Sequence, residues 1–166
     1  MEVLLVGNTD FITKQWIQHA FPRDHVVIAE REGTVDGNDR LRIVNMSDAN
    51  ALAEALTTYE FDRIVFFSEN LTPRSDRDGD LGALRRLLHA IRNRQTQMLM
   101  VSGPESEFTY PENADVRDTS KSLMSRASEE LCLYYARAYR LEAKIIRCPY
   151  LSVAGSSWKV SCNAVT

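Results

Sequence analysis

Six short apolar runs, separated by segments with helical spacing, constrain the fold of this chain more than any other feature. The runs cover residues 2–6, 25–29, 41–44, 64–67, 98–101 and 143–146, and each predicts a strand. Strands that are apolar at every position are typical of a sheet that is buried on both faces. Apolar residues three and four positions apart predict helices over 11–21, 81–91 and 120–139. A further helix follows the capping candidates Ser47 and Asp48.

This alternation predicts an α/β fold, with a parallel sheet of about six strands and helices on both faces. In such sheets, ligands bind outside the carboxyl ends of the strands, where the strand order reverses. We therefore expect the functional residues in the loops that follow residues 6, 29, 44, 67 and 101.

Composition and charge exclude several classes of function. The 166 residues include 20 Lys and Arg against 23 Asp and Glu, and the net charge of −3 predicts no nucleic-acid partner. No apolar run approaches the ~20 residues that span a bilayer, so this segment is predicted to have no membrane contact. The three cysteines lack CxxC spacing and the three histidines lack HxH or HExxH spacing. We therefore expect a reducing, cytoplasmic compartment and no metal site.

The GNTDFIT loop after the first strand resembles the first turn of the extended short-chain dehydrogenase/reductase family, which includes nucleotide-sugar epimerases and dehydratases. Gly7 matches the first glycine of the family's TGGxGFIG motif, and Phe11 and Ile12 match its FI pair. Asp10 and Thr13 stand where the family has its second and third functional glycines. The resemblance runs over roughly residues 1–152 and implies a Rossmann-like, doubly wound sheet.

The two departures weaken the expected dinucleotide site. The second glycine allows the backbone to approach the pyrophosphate, whereas Asp10 adds a side chain and a negative charge at that helix start. In the simpler interpretation, Asp10 is a helix N-cap whose carboxylate occupies the amides that a phosphate would use. The cofactor is therefore not identified: NAD(P) fits the scaffold, but Asp10 and Thr13 weaken that prediction.

Other motifs extend the resemblance to the rest of the cofactor site. Glu30 and Arg31 end the second strand, where the family has an acidic residue for the adenosine ribose. Asn45 and Met46 begin a segment similar to the family's adenine-lining D-[LI]-x-D, and Ser68 ends one similar to D-x-V-[IV]-H-x-A. The resemblance implies these cofactor-binding candidates: Gly7, Asp10, Phe11, Ile12, Glu30, Arg31, Asn45, Met46 and Ser68.

The family's catalytic pair is absent from the matching positions. That chemistry uses a tyrosine, and a lysine four residues later that lowers the pKa of the phenol. The alignment puts Ser122 at the tyrosine position and Arg126 at the lysine position, and a register through Lys121 puts Arg117 at the tyrosine position. The position of the orienting Ser/Thr falls on or near Gly103, beside Ser102. No catalytic residue is assigned, and Ser102, Ser122 and Arg126 are degenerate positions.

The leading hypothesis is a non-catalytic, Rossmann-like domain with a sensing, regulatory or assembly role, part of a larger protein. One alternative is an NAD(P)-dependent epimerase, dehydratase or reductase with an atypical active site. Another is an interaction module that forms a homodimer through helices at 80–94 and 120–140. We divide the chain into a domain over 1–152 and a tail over 153–166, or the start of a further region. A nucleotide is the expected small-molecule ligand.

Overall fold

A computed structural model describes residues 1–6, 19, 23–30, 41–45, 49–67, 77–102, 116–147 and 163–165. The strands are β1 (Glu2–Val6), β2 (His25–Glu30), β3 (Leu41–Asn45), β4 (Arg63–Phe67), β5 (Gln97–Ser102), β6 (Ala143–Arg147) and β7 (Asn163–Val165). The helices with described bounds are α1 (Ala49–Thr58), α2 (Arg77–Ile91) and α3 (Val116–Tyr139).

Within the described residues, the seven strands form one sheet in the order β3-β2-β1-β4-β5-β6-β7. Neighbouring strands from β3 to β6 are parallel, and β7 pairs antiparallel with β6. The predicted α/β fold class is confirmed. Because β1 lies between β2 and β4, the strand order reverses at β1, and a ligand crevice is expected there.

Both faces of the sheet are buried, which explains why its strands read as continuous apolar runs. On one face, Leu4, Phe66 and Met100 belong to a core that also includes residues of α1, α2 and α3. On the other face, Val3, Leu5 and their neighbours in β2, β4 and β5 form a second core. The predicted helix over 11–21 lies outside the described residues, except for His19, which is helical.

Two helix starts and one additional strand differ from the prediction by more than one residue. Helix α2 begins at Arg77 and α3 at Val116, each about one turn before its predicted start. The first turns of both helices are polar, so apolar periodicity does not reveal them. The segment after residue 152 has no sequence period, yet Asn163–Val165 adds the antiparallel strand β7.

The face that α3 buries is not the one its apolar spacing suggests. Among the apolar residues whose spacing predicts this helix, Tyr135 is buried, whereas Leu123 is 65% exposed and Tyr134 is 57% exposed. The other buried positions of α3 within 123–139 are Ser125, Ser128, Glu129 and Cys132. The helix therefore buries a largely polar row and leaves three large side chains, Leu123, Tyr134 and Tyr139, exposed on its surface.

Candidate functional site

The carboxyl ends of the six parallel strands meet at one edge of the sheet, which we call the carboxyl edge. It is formed by the last residues of these strands: Val6, Glu30, Asn45, Phe67, Ser102 and Arg147. Val6 lies in register with Ala29 of β2 and Phe66 of β4. The GNTDFIT loop therefore starts at the point where the strand order reverses.

Two of the predicted cofactor residues lie next to each other at this edge. Glu30 ends β2 and is the register partner of Asn45, which ends β3. Such neighbouring strand ends could hold the adenosine half of a dinucleotide beside β1. The remaining cofactor candidates lie outside the described residues: Gly7, Asp10, Phe11, Ile12, Arg31, Met46 and Ser68.

A buried ion pair lies at the β6 end of the carboxyl edge, between Glu129 and Arg147. Arg147 donates from Nε to Oε1 and Oε2 of Glu129, at 3.1 and 3.2 Å, and from a terminal guanidinium nitrogen to Oε2, at 2.7 Å. The Glu129 side chain is 5% exposed and the Arg147 side chain 25% exposed. This forked geometry satisfies a carboxylate that would otherwise be buried without a partner, and it joins α3 to the end of β6.

The sequence motifs contain both Glu129 and Arg147 but do not predict their contact. The available signal is a glutamate on the same helical face as Ser125 and Cys132, together with an arginine that ends an apolar strand. Buried charges need partners, so each of these residues predicts an opposite charge close by.

Two buried hydroxyl groups lie on elements that meet beside this ion pair. Ser102 ends β5 as the register partner of Arg147, and Ser128 precedes Glu129 on α3. Both serines are 0% exposed, and neither Oγ atom has a hydrogen-bond partner among the described residues. An unpartnered buried hydroxyl is costly, which marks this part of the edge as a place suited to a further polar group.

The thiol of Cys132 lies one turn along α3 from Ser128 and is fully buried. Burial, and secondarily the negative charge of Glu129, raise the pKa of this thiol from 9.0 to about 11. The sulfur therefore remains protonated near neutral pH and does not act as a nucleophile there. Cys132 contributes to the core as a small apolar side chain.

Two of the three degenerate catalytic positions have described side chains, and they differ in burial. Ser102 is buried at the end of β5, whereas Arg126 is exposed on α3. Ser122 lies on the same helix, but its side chain is outside the described residues. The buried position beside Arg126 is Ser125. Among the described side chains of this turn, the arginine at the family's lysine position is thus exposed and its neighbour Ser125 is buried.

The described residues contain no group of three His, Cys, Asp or Glu side chains that could hold a metal ion. Among these same residues, no helix is long and apolar enough to cross a membrane.

Solved structures that match this chain include dehydrogenases and an enzyme in complex with NAD+ and UDP. The L-threonine dehydrogenase from Phytophthora infestans matches with a TM-score of 0.65 and 18% identity, over 89% of this chain and 53% of that chain. WbmF from Bordetella bronchiseptica, solved with NAD+ and UDP, matches with a TM-score of 0.65 and 14% identity, over 88% of this chain and 48% of that chain. The fold is Rossmann-like.

Pal from Bacillus thuringiensis matches with a TM-score of 0.69 and 18% identity, over 89% of this chain and 55% of that chain. At these identities the likeness shows the fold alone. The chain spans about half the length of the structures it matches. No protein-family model and no curated protein matches the sequence.

Proposed function

We propose that this chain binds NAD or NADP at the carboxyl edge, as the cofactor half of an oxidoreductase of the epimerase/dehydratase type. The observation that carries the proposal is the strand order, which reverses at β1 directly before the GNTDFIT loop. Solved structures that match this fold include dehydrogenases and an enzyme in complex with NAD+. A cytoplasmic location is part of the proposal, because three cysteines without paired spacing suit a reducing compartment.

Glu30 supplies the sharpest test of this proposal. It ends β2 next to β1, where an acidic side chain can accept hydrogen bonds from the adenosine ribose. Loss of such a charge-assisted bond weakens binding by about tenfold or more.

The test is calorimetric titration of the purified chain with NAD, NADH, NADP and NADPH. We expect saturable binding of one cofactor pair, weakened about tenfold in Glu30→Ala. The matched control is Glu60→Ala, since Glu60 is an exposed glutamate outside this edge, in the segment before β4. Absence of binding at millimolar concentrations of all four nucleotides refutes the proposal, as does equal weakening in both variants.

The second candidate is a domain that binds a nucleotide but performs no chemistry, with a sensing, regulatory or assembly role. It is favoured by the exposure of Arg126, together with serines at the buried positions of that turn. A serine hydroxyl does not ionise near neutral pH, and arginine almost never releases its proton.

Nicotinamide absorbance distinguishes the two candidates once binding is established. Cofactor turnover with any nucleotide sugar, abolished by Ser102→Ala, supports the oxidoreductase. Tight binding without turnover over a panel of nucleotide sugars and small alcohols supports the non-catalytic domain.

A homodimer through α2 and α3 accompanies either candidate. The exposed side chains of Leu123 and Tyr134 are three helical turns apart on one side of α3, and apolar side chains of this size are favourable at an interface. Sedimentation velocity tests the proposal: Leu123→Ser/Tyr134→Ser should be monomeric at concentrations where the parent is dimeric. Glu54→Ser, on the exposed surface of α1, is the control. A parent chain that is monomeric at high concentration would overturn the homodimer proposal.

A further inference from the structure

A concave pocket of about 560 Å³ lies at the edge of the sheet opposite the carboxyl edge. We call it the amino-edge pocket. It is lined by the first residues of β4 and β5, Arg63 and Gln97, and by residues that follow α2 and α3, Arg94 and Arg140. Since a five-residue parallel strand spans about 16 Å, this pocket is separate from the predicted cofactor site.

Positive charge predominates in the lining, although the whole chain carries −3. Three arginines face two carboxylates, those of Asp62 and Glu142. Both carboxylates are already engaged: Asp62 Oδ2 accepts from the backbone N–H of Glu2 at 2.9 Å, and Glu142 Oε1 accepts from Gln97 Nε2 at 3.0 Å.

The arginines, by contrast, keep donors available. Within the described residues, neither Arg63 nor Arg140 forms an ion pair or a side-chain hydrogen bond, and both are exposed. Arg94 makes one long bond, 3.5 Å from a terminal nitrogen to the carbonyl oxygen of Tyr59. A guanidinium has five N–H donors in a planar fork, which matches phosphate oxygens two at a time.

Arg140 has a backbone conformation that favours glycine. It follows the last residue of α3 with φ of 56°, in the left-handed region where a side chain on Cα is strained. Glycine is the residue most often found directly after a helix end in this conformation. An arginine there keeps a guanidinium in the pocket at a cost in stability, which points to a use for that charge.

The frame around the pocket is rigid, because backbone hydrogen bonds join the segments that carry the arginines. The N–H of Gln97 donates to the carbonyl of Asp62 at 3.0 Å, and the N–H of Met98 donates to the carbonyl of Glu142 at 2.8 Å. Thr96, which is buried, donates its hydroxyl to the carbonyl of Phe61 at 2.9 Å. The pocket volume lies within the range of small-molecule sites.

We propose that the amino-edge pocket binds a small molecule through a pyrophosphate group held by Arg63, Arg94 and Arg140. The volume of this open pocket and its three guanidinium forks together favour a compact phosphorylated ligand. This site does not depend on cofactor binding at the carboxyl edge.

The test is calorimetric titration of the full chain with inorganic pyrophosphate, against sulfate at equal ionic strength, with ADP as a second arm. We expect saturable pyrophosphate binding that weakens about tenfold in Arg63→Gln and in Arg140→Gly. Arg137→Gln is the matched control, since Arg137 is exposed in the last turn of α3 but does not line the pocket. Tighter binding of ADP than of pyrophosphate, lost in the same two variants, would identify a nucleoside diphosphate as the ligand.

The Arg140→Gly variant separates a loss of pyrophosphate binding from a loss of folding. Because glycine adopts the left-handed region without strain, Arg140→Gly should melt at the same temperature as the parent or higher while losing pyrophosphate. Three results would overturn the proposal: no saturation at millimolar pyrophosphate, unchanged affinity in both pocket variants, or an equal loss in Arg137→Gln. NAD titration of Arg140→Gly should match the parent, so failure here is distinct from failure at the carboxyl edge.

Discussion

The buried ion pair between Glu129 and Arg147 should be a principal local contribution to stability, and Glu129→Gln tests it. The substitution keeps the side-chain shape but removes the charge and replaces one acceptor oxygen with a donor. Arg147 then loses part of a three-contact arrangement with N–O distances of 2.7–3.2 Å. Breaking a fully buried pair from one side costs about 3–5 kcal/mol. Because Arg147 retains 25% exposure and can be partly hydrated, we expect about 2–3 kcal/mol here.

Urea denaturation followed by circular dichroism measures this loss. For a chain of this size, it corresponds to a melting temperature lower by roughly 5–10 °C. Glu130→Gln is the control, because Glu130 is the next residue on α3 and is exposed, and its effect should stay within about 0.5 kcal/mol. The loss should persist at about 1 M salt, since a buried pair is little screened.

A double variant separates loss of the pair from loss of the side chain. Glu129→Gln/Arg147→Met removes both charges, so it should be less destabilised than the two single variants added together, by about 1–2 kcal/mol. The reasoning is refuted if Glu129→Gln is as stable as Glu130→Gln, or if the two single losses simply add.

Three further substitutions test the core and its titration. Because the pKa of Cys132 is raised to about 11, the native thiol keeps a proton that the unfolded chain loses near pH 9. Stability should therefore fall by about 1.4 kcal/mol per pH unit between these values, and Cys132→Ala should show a shallower fall in urea titrations across this range. Phe66→Ala removes a ring that is 1% exposed and should cost about 3–5 kcal/mol in the same assay, unless the core collapses around the cavity. Thr96→Val leaves the buried carbonyl of Phe61 without its side-chain donor and should cost about 1 kcal/mol, whereas Thr57→Val, at an exposed helical hydroxyl, should cost less.

The strands could be predicted from sequence because their burial is two-sided. The prediction of residues 2–6 matches β1 at both ends, since every residue from Val3 to Val6 is buried on one face or the other. β7 could not be predicted, because its three residues pair antiparallel with β6 and local sequence carries no trace of that contact. Each of the two helices begins before its predicted start for a related reason: a polar first turn contributes nothing to apolar periodicity.

The candidate site was predicted less completely than the fold. Strand ends identify the carboxyl edge, where Glu30 and Asn45 are register partners, and their role in cofactor binding stays a prediction. Helix α3 is different, because Leu123 and Tyr134 give it an apolar stripe that is exposed, while its buried row contains Ser128 and Glu129. Hydrophobicity cannot identify a buried polar face, since each polar residue there is stabilised by one specific partner or left without one.

The buried face of α3 limits the chemistry that the carboxyl edge can perform with its described residues. Glu129 is held by Arg147 and is therefore a poor proton acceptor, because accepting a proton would break a buried ion pair. The Cys132 thiol stays protonated near neutral pH, and the Ser102 and Ser128 hydroxyls have no base bonded to them. These groups can orient a polar ligand by hydrogen bonds, but within the described residues they provide no acid–base pair. Turnover at this edge would therefore require an acid–base pair that includes a group other than these four residues.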